Sequence, residues 1–193
     1  MSRSKKIRLT VGIALGVAVI AFIAVVTAGA VRINREYPQP VFHMAAIDEP
    51  LQMGDFEIRA KDFDLYTRDE FLQQYPDVPA DILDYNASAD DFRIATAVLS
   101  FKNVGSETKL APTDSAAIST TTWTNGVDIR ILMYLDEYPI SPTLAPGEEA
   151  TVLLPCVLFK SHVPKELWEH LDEQQFRVTF TLYPEIYGIR LTP

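Results

Sequence analysis

Three histidines, one cysteine and many carboxylates are the side chains that could carry chemistry in this chain. Their spacing argues against most of it. His162 and His170 stand eight residues apart and His43 is remote from both. A zinc-binding helix needs two histidines on one face, one turn apart, and a tetrahedral site needs further nitrogen or sulfur ligands. Here carboxylates from distant segments would have to complete the set. Cys156 sits in the apolar run LLPCVLF, with Lys160 as its nearest base. A reactive thiolate needs basic neighbours or a helix N-terminus, so Cys156 is expected to be a small buried core residue. One cysteine closes no internal disulfide.

Calcium is the other metal to consider. The stretch DYNASAD sets Asp84, Asn86, Ser88 and Asp90 at alternate positions, like the first ligands of an EF-hand loop. The loop's glycine position holds Ala89, and its bidentate glutamate position holds Ala95. Without the sharp turn and the last ligand the pattern fails, and an exposed polar loop is expected. Asp62 and Asp64 form a weaker pair. Asn86-Ala87-Ser88 is a glycosylation sequon, meaningful only in a eukaryotic secretory pathway. There is no Gly-x-Ser-x-Gly elbow, phosphate-cradling loop or dinucleotide fingerprint. Tyr134, Tyr138, Tyr183 and Tyr187 with Trp123 could line a sugar-binding face, although aromatics near strand ends more often pack a core. The expectation is a protein that is not an enzyme, with no catalytic, cofactor-binding or metal-binding residue and no cofactor.

The elements that would position these residues begin with a membrane anchor. Residues 9–31 carry no charge. As a helix rising about 1.5 Å per residue they span roughly 35 Å, enough for a hydrocarbon core of about 30 Å. The segment is apolar all round, as lipid contact requires. Arg3, Lys5, Lys6 and Arg8 precede it, whereas Arg32 and Arg35 follow it. That bias predicts a cytoplasmic N-terminus and an extracellular C-terminal domain. Ala28-Gly29-Ala30 is a site a signal peptidase could accept, but signal peptides have apolar cores of only about 7–15 residues. The reading is therefore an uncleaved signal anchor at the cell membrane.

The domain reading is a basic cytoplasmic tail (1–8), a transmembrane helix (9–31), an extended stalk stiffened by Pro38 and Pro40 (32–41), and an extracellular domain (42–193). All 26 acidic residues lie at Glu36 or later, as do 11 of the 17 basic ones, so residues 36–193 carry −15. Such a body repels phosphate backbones, which excludes nucleic acid as a partner, and it is not expected to lie on an anionic lipid surface.

That body reads as mainly β. DFEIRAKDFDL alternates Phe56, Ile58 and Ala60, then shifts phase to Phe63 and Leu65, which predicts a bulge. DDFRIATAVLSFKN is apolar on both faces and belongs in the centre of a sheet. Asn125-Gly126 predicts a hairpin turn inside AAISTTTWTNGVDIRILMYLD. Pro146-Gly147 predicts a turn before a strand over 150–159. QFRVTFTLY turns Phe176, Val178, Phe180 and Leu182 inward. Two short helices are expected. One opens with Thr67 and Glu70 as a capping box; the other has Pro164 in its first turn, with Leu167, Trp168 and Leu171 forming a stripe. PDVPADILDYNASAD reads as a loop or a partly helical insertion. The sum is an antiparallel immunoglobulin-like β-sandwich with one or two short helices.

The basic tail, the single spanning helix, the NREYP stalk, the strand-turn FKNVGSE and the later LAPGEEATVLLP together resemble bacterial membrane-anchored domains of unknown function. These are immunoglobulin-like extracellular sandwiches found mainly in Gram-positive bacteria. The resemblance implies fold and location and carries no catalytic or binding residue. Many such domains are lipoproteins, and this chain departs from them in having no cysteine near its N-terminus. The expected function is that of an anchored protein-interaction or envelope-associated module. Its partners would be the bilayer, through residues 9–31, and a protein on the outer face. A cleaved, secreted protein binding a small ligand or glycan is the alternative, and an extracellular enzyme comes after it.

Overall fold

The computed structural model describes residues 3–192 apart from Asn86, with side-chain environments from Leu15 onward. Two units separate at Pro40. The first is one helix, α1 (Arg3–Glu36). From Leu15 to Glu36 it is long and apolar enough to cross a membrane, and none of that stretch is buried by protein. It runs further than the sequence suggested. Residues 32–36, assigned to the extended stalk, are helical, and the Tyr37 amide still donates to the Ile33 carbonyl at 2.7 Å. A change from apolar to charged residues does not end a helix; Pro38 does, by disfavouring helical geometry at Tyr37.

The second unit contains two sheets, a two-stranded ribbon and three short helices. In chain order its elements are β1 (Val41–Ala45), β2 (Leu51–Met53), β3 (Phe56–Tyr66), α2 (Arg68–Gln74), β4 (Phe92–Asn103), β5 (Lys109–Leu110), β6 (Ala117–Ser119), β7 (Thr124–Gly126), α3 (Ile129–Leu132), β8 (Thr143–Leu144), β9 (Glu149–Phe159), α4 (Lys165–Trp168), β10 (Phe176–Thr179) and β11 (Glu185–Leu191). One sheet runs β1-β11-β10-β6-β7, the other β2-β3-β4-β9, and β5 pairs with β8. Every pairing is antiparallel except β1 with β11.

The sheets meet over a core containing Ile58, Phe63, Leu99, Phe101, Ile118, Leu154, Val178 and Ile189. β4 is central, between β3 and β9. The predicted bulge is present: the β3–β4 register jumps between Ala60 and Asp62, so Ala60 and Phe63 both face the core. Trp168 and Leu171 close one side of the core, with the Arg93 guanidinium 5.3 Å over the Trp168 ring. A second core lies on the other face of the four-stranded sheet. Phe71 from α2, Val78 and Leu83 from the following loop, and Ile131 and Leu132 from α3 pack on Ile94, Leu153 and Val157. Both cores draw only on residues 45–191, so the second unit has the buried interior a domain needs to fold without α1.

Local chemistry explains the punctuation. Thr67 accepts the Glu70 amide while Glu70 Oε2 accepts the Thr67 amide at 2.8 Å, a complete capping box for α2. At Pro146-Gly147 the Glu148 amide donates to Ala145 O at 3.0 Å, and Gly147 takes φ +81°, the left-handed value a type II turn requires. Asn103 ends β4 fully buried. Its Oδ1 accepts the Gly105 amide at 2.9 Å, and its Nδ2 donates to Glu107 O at 2.7 Å and Leu144 O at 2.8 Å.

Three expectations are overturned. Asn125-Gly126 is no hairpin turn. It lies in β7, and residues 120–123 make the turn, with Thr120 N–H on Trp123 O at 2.8 Å. The Asn125 amide instead reaches Val157 O at 2.9 Å and covers the free edge of β9. VDIRILMYLD is not the hairpin's second strand. Asp128 caps a helix there, its Oδ1 accepting the Arg130 amide at 3.0 Å, so that Ile131, Leu132 and Leu135 share a buried face. Tertiary burial overrides the β-propensity of the isoleucines. Finally, Leu182 points outward at 79% exposure because β10 ends at Thr179 and the chain turns through 180–184. Phe176, Val178 and Phe180 are buried as expected.

Candidate functional site

The outer face of the five-stranded sheet is uncovered, and strand alternation decides what it shows. Register places Arg190, Arg177, Ser119 and Thr124 in one cross-strand row. The next row is Met44, Gly188, Thr179, Ala117 and Gly126, and Phe42 pairs with Ile186 beyond it. No aspartate or glutamate stands at any of these positions. In a body with 26 acids against 11 bases that is a marked local reversal. Gly188 is required here, since a Cβ would come within 2.6 Å of the Val178 carbonyl and 3.2 Å of Met44 Cε. The Met44 side chain therefore lies over it, close to the sheet.

Two concavities on this face share Phe42, Thr120, Thr121 and Arg177 and so form one trough. One part, about 330 Å³, is walled by the threonine turn 120–124, Thr181, Leu182 and Ile186; the other, about 290 Å³, by Met44, Gln175 and Arg190. Arg177 Nε donates to Ser119 Oγ at 3.1 Å, which fixes the guanidinium, and among the described residues its terminal amines have no protein partner. Arg190 lies directly opposite, and among the described residues neither arginine has a carboxylate partner. Their Cβ atoms are then about 4.5–5.5 Å apart, a like-charge cross-strand pair that costs stability.

A second cleft, about 370 Å³, has the opposite character. Tyr75, Tyr134 and Tyr138 line it with Asp77, Asp136 and Glu137. Burial raises the Tyr75 hydroxyl's pKa, with Tyr138 and Asp64 adding to the shift. Beneath it Tyr66 donates to Asp64 at 2.9 Å, and burial first, then that bond, pushes its hydroxyl up. Nearby, Tyr85 donates to Asp128 Oδ2 at 2.9 Å under the Arg130 guanidinium, 4.6 Å above its ring. Burial alone would raise Asp128, but the Arg130 and Tyr85 hydrogen bonds together hold its carboxyl below the usual range. This triad ties the start of α3 to the loop before β4 and is a structural clamp.

The sequence-derived candidates scatter. His43 stacks on Tyr187 at 4.4 Å, His170 meets Glu173 at 3.2 Å, and His162 packs on Phe159. Among the described residues no three His, Cys, Asp or Glu side chains are placed to share an ion. Cys156 is fully buried, and burial pushes its thiol up to about 12. Of the calcium-like stretch, Asn86, the sequon's asparagine, lies outside the described residues, while Ala95 is in β4. Asp62 accepts the Phe63 amide at 2.9 Å and Asp64 the Tyr66 hydroxyl. The five aromatics weighed for sugar divide among three places: Tyr134 and Tyr138 in the acidic cleft, Trp123 on the trough, and Tyr183 and Tyr187 at the β10–β11 turn and in β11. Nothing in the sequence marks Arg177 and Arg190 as a pair, because only strand register makes them neighbours.

A family model for a domain of unknown function, DUF5028, matches residues 42–186. The chain belongs to the DUF5028 family. The match covers β1 through the start of β11, nearly the whole second unit. Among curated proteins the comparison finds no match. Among the solved structures that match the DUF5028 chain at low identity are three from bacteria. The ycdA protein of Bacillus subtilis is 13% identical with a TM-score of 0.49, over 74% of this chain and 38% of its own length. The chain thus spans well under half of ycdA. The yjhA protein of Bacillus subtilis is 12% identical with a TM-score of 0.45, over 77% of this chain and 99% of its own. An uncharacterized β-sandwich protein of Clostridium difficile is 14% identical with a TM-score of 0.39, over 80% and 97%.

Proposed function

We propose that the DUF5028 chain is a single-pass bacterial membrane protein whose sandwich stands outside the cell and acts as a binding module, with the open face of the five-stranded sheet as its interaction surface. The observation that carries this reading is the uncovered, acid-free trough on a domain whose other sheet is covered on both faces. The unburied apolar stretch of α1 supports the anchor, and the basic residues before it support a cytoplasmic N-terminus. The domain limits follow: a tail over 1–8, a spanning segment over 9–31 and an outer body from about residue 42. An immunoglobulin-like sandwich is supported by the crossings of the chain between the two sheets after β1, β4, β7 and β9, as Greek-key connections make. The mechanism is binding without chemistry: Arg177 presents a fixed guanidinium, the threonine turn supplies hydroxyls, and Phe42 with Ile186 supplies apolar area.

Topology and binding are tested separately. A Ser106→Cys variant in intact cells is expected to react with a membrane-impermeant maleimide, while buried Cys156 stays silent. Protection of Ser106→Cys until lysis would overturn the outward placement. Intact mass of the native protein is expected to include residues 1–30; an N-terminus at Val31 would remove the anchor and favour the secreted alternative. A photo-crosslinker at Thr121 is expected to trap a discrete adduct that the same group at Asp77 does not. Equal trapping at both positions would sink the trough as the interaction face.

A further inference from the structure

The trough has a polarity gradient along its length. At one end Arg177 and Arg190 offer only donors, with the Gln175 amide and the Thr120 and Thr121 hydroxyls beside them. Phe42 lines both parts, and toward the other end Ile186 and Leu182 continue its apolar wall; Phe42 and Leu182 are 55% and 79% exposed. Two features of the arginine end bear on the ligand. Ser119 holds Arg177 through Nε alone, so both terminal amines remain to donate. Arg190 opposes it, and among the described residues no acid relieves the repulsion, so an anion seated between them would turn an unfavourable pair into a favourable triad.

We infer that this trough binds a phosphate monoester carried on an apolar stem, the phosphate between Arg177 and Arg190 and the stem against Phe42, Ile186 and Leu182. The inference rests on reading this face as the interaction surface. A carboxylate is satisfied by one bidentate arginine, whereas a phosphate monoester brings three terminal oxygens and nearly two charges. Two adjacent arginines therefore fit phosphate. The body's −15 charge repels anions at long range, so attraction is confined to the acid-free face and weakens with salt.

The test uses the body from Tyr37 onward, whose cores close without α1, and titration calorimetry at low salt with four probes: octyl phosphate below its micelle concentration, octanoate, inorganic phosphate and octyl glucoside. Octyl phosphate is expected to bind about tenfold or more tightly than each of the others. The R177Q/R190Q double variant is expected to lose that advantage while its melting temperature stays the same or rises, because a repulsive pair is gone. Phe42→Ala is expected to weaken octyl phosphate several-fold and leave inorganic phosphate unchanged. Octyl phosphate affinity unchanged in R177Q/R190Q overturns the inference, as does octyl glucoside binding as tightly, which would mark a purely apolar groove. Octanoate binding as tightly overturns phosphate in favour of carboxylate. If all four probes fail while the Thr121 crosslink persists, the phosphate ligand falls and the interaction face stands; if both fail, both readings fall.

Discussion

The two sheets of the DUF5028 body treat their outer faces in opposite ways. The outer side of β4 and β9 lies under α2, α3 and the loop between α2 and β4, which bury Phe71, Leu83 and Ile131 completely or nearly so. The outer side of β1, β10 and β11 carries Phe42, Arg177 and Arg190 into solvent. A face that is covered gains stability from apolar area, at roughly 1.5–3 kcal/mol per large side chain. A face left open forgoes that gain and keeps its side chains available. The lesson is where to look for function: in the sheet the protein did not roof over. The acidic tyrosine cleft sharpens the contrast, since it edges the roofed side and carries the body's prevailing charge.

Substitutions should separate the faces. Phe71→Ala empties the centre of the roof and is expected to cost about 3–5 kcal/mol in chemical denaturation; a loss under about 1 kcal/mol would mean the roof is not part of the cooperative unit. Asn103→Leu leaves the Glu107 and Leu144 carbonyls and the Gly105 amide without their partner. A loss of about 2–3 kcal/mol is expected, with the β5–β8 ribbon losing hydrogen-exchange protection first. The Asp128 clamp adds a pH dependence to the roof. Its folded pKa is lowered, so its stabilisation is present above the unfolded value of about 3.9 and is lost as pH falls from there through the folded value. Asp128→Asn should flatten the acid limb of the stability profile below about pH 4, and an unaltered limb would discount the clamp. Thr67→Ala removes one half of the capping box and should cost about 1 kcal/mol. On the open face, Phe42→Ala should change stability by less than about 0.5 kcal/mol. A cost as large as that of Phe71→Ala would show that the open face is structural.

Much of the architecture was legible because it rests on local physics. The long apolar helix follows from charge-free length, the β3 bulge from a phase change in alternation, the α2 cap from Thr67 and Glu70, and the 145–148 turn from Pro146 and Gly147. Each is a feature that a few neighbouring residues determine. The errors have a common cause. Asn125-Gly126 is a good hairpin signal locally, but the edge of β9 gives the Asn125 amide a better partner 32 residues away. Ile129 and Ile131 favour a strand locally, but the second core rewards a helical face. Pro38 and Pro40 suggest an extended stalk from residue 32, but Pro38 acts only on its immediate neighbour, and the helix runs on to Glu36.

The sequence by itself determined the long apolar helix, the β-rich body and its acidity, because length, alternation and charge are properties of the chain taken a few residues at a time. It also told that β4 is apolar on both faces, without saying what would cover the second one. The tertiary structure decided that. It put Phe71, Leu83 and Ile131 from three separate segments onto one side of a sheet and left the other sheet bare. It also set Arg177 opposite Arg190, 13 residues on, across a turn. Which distant residues become neighbours is fixed by strand register and layer packing, and those depend on the burial of the whole chain at once.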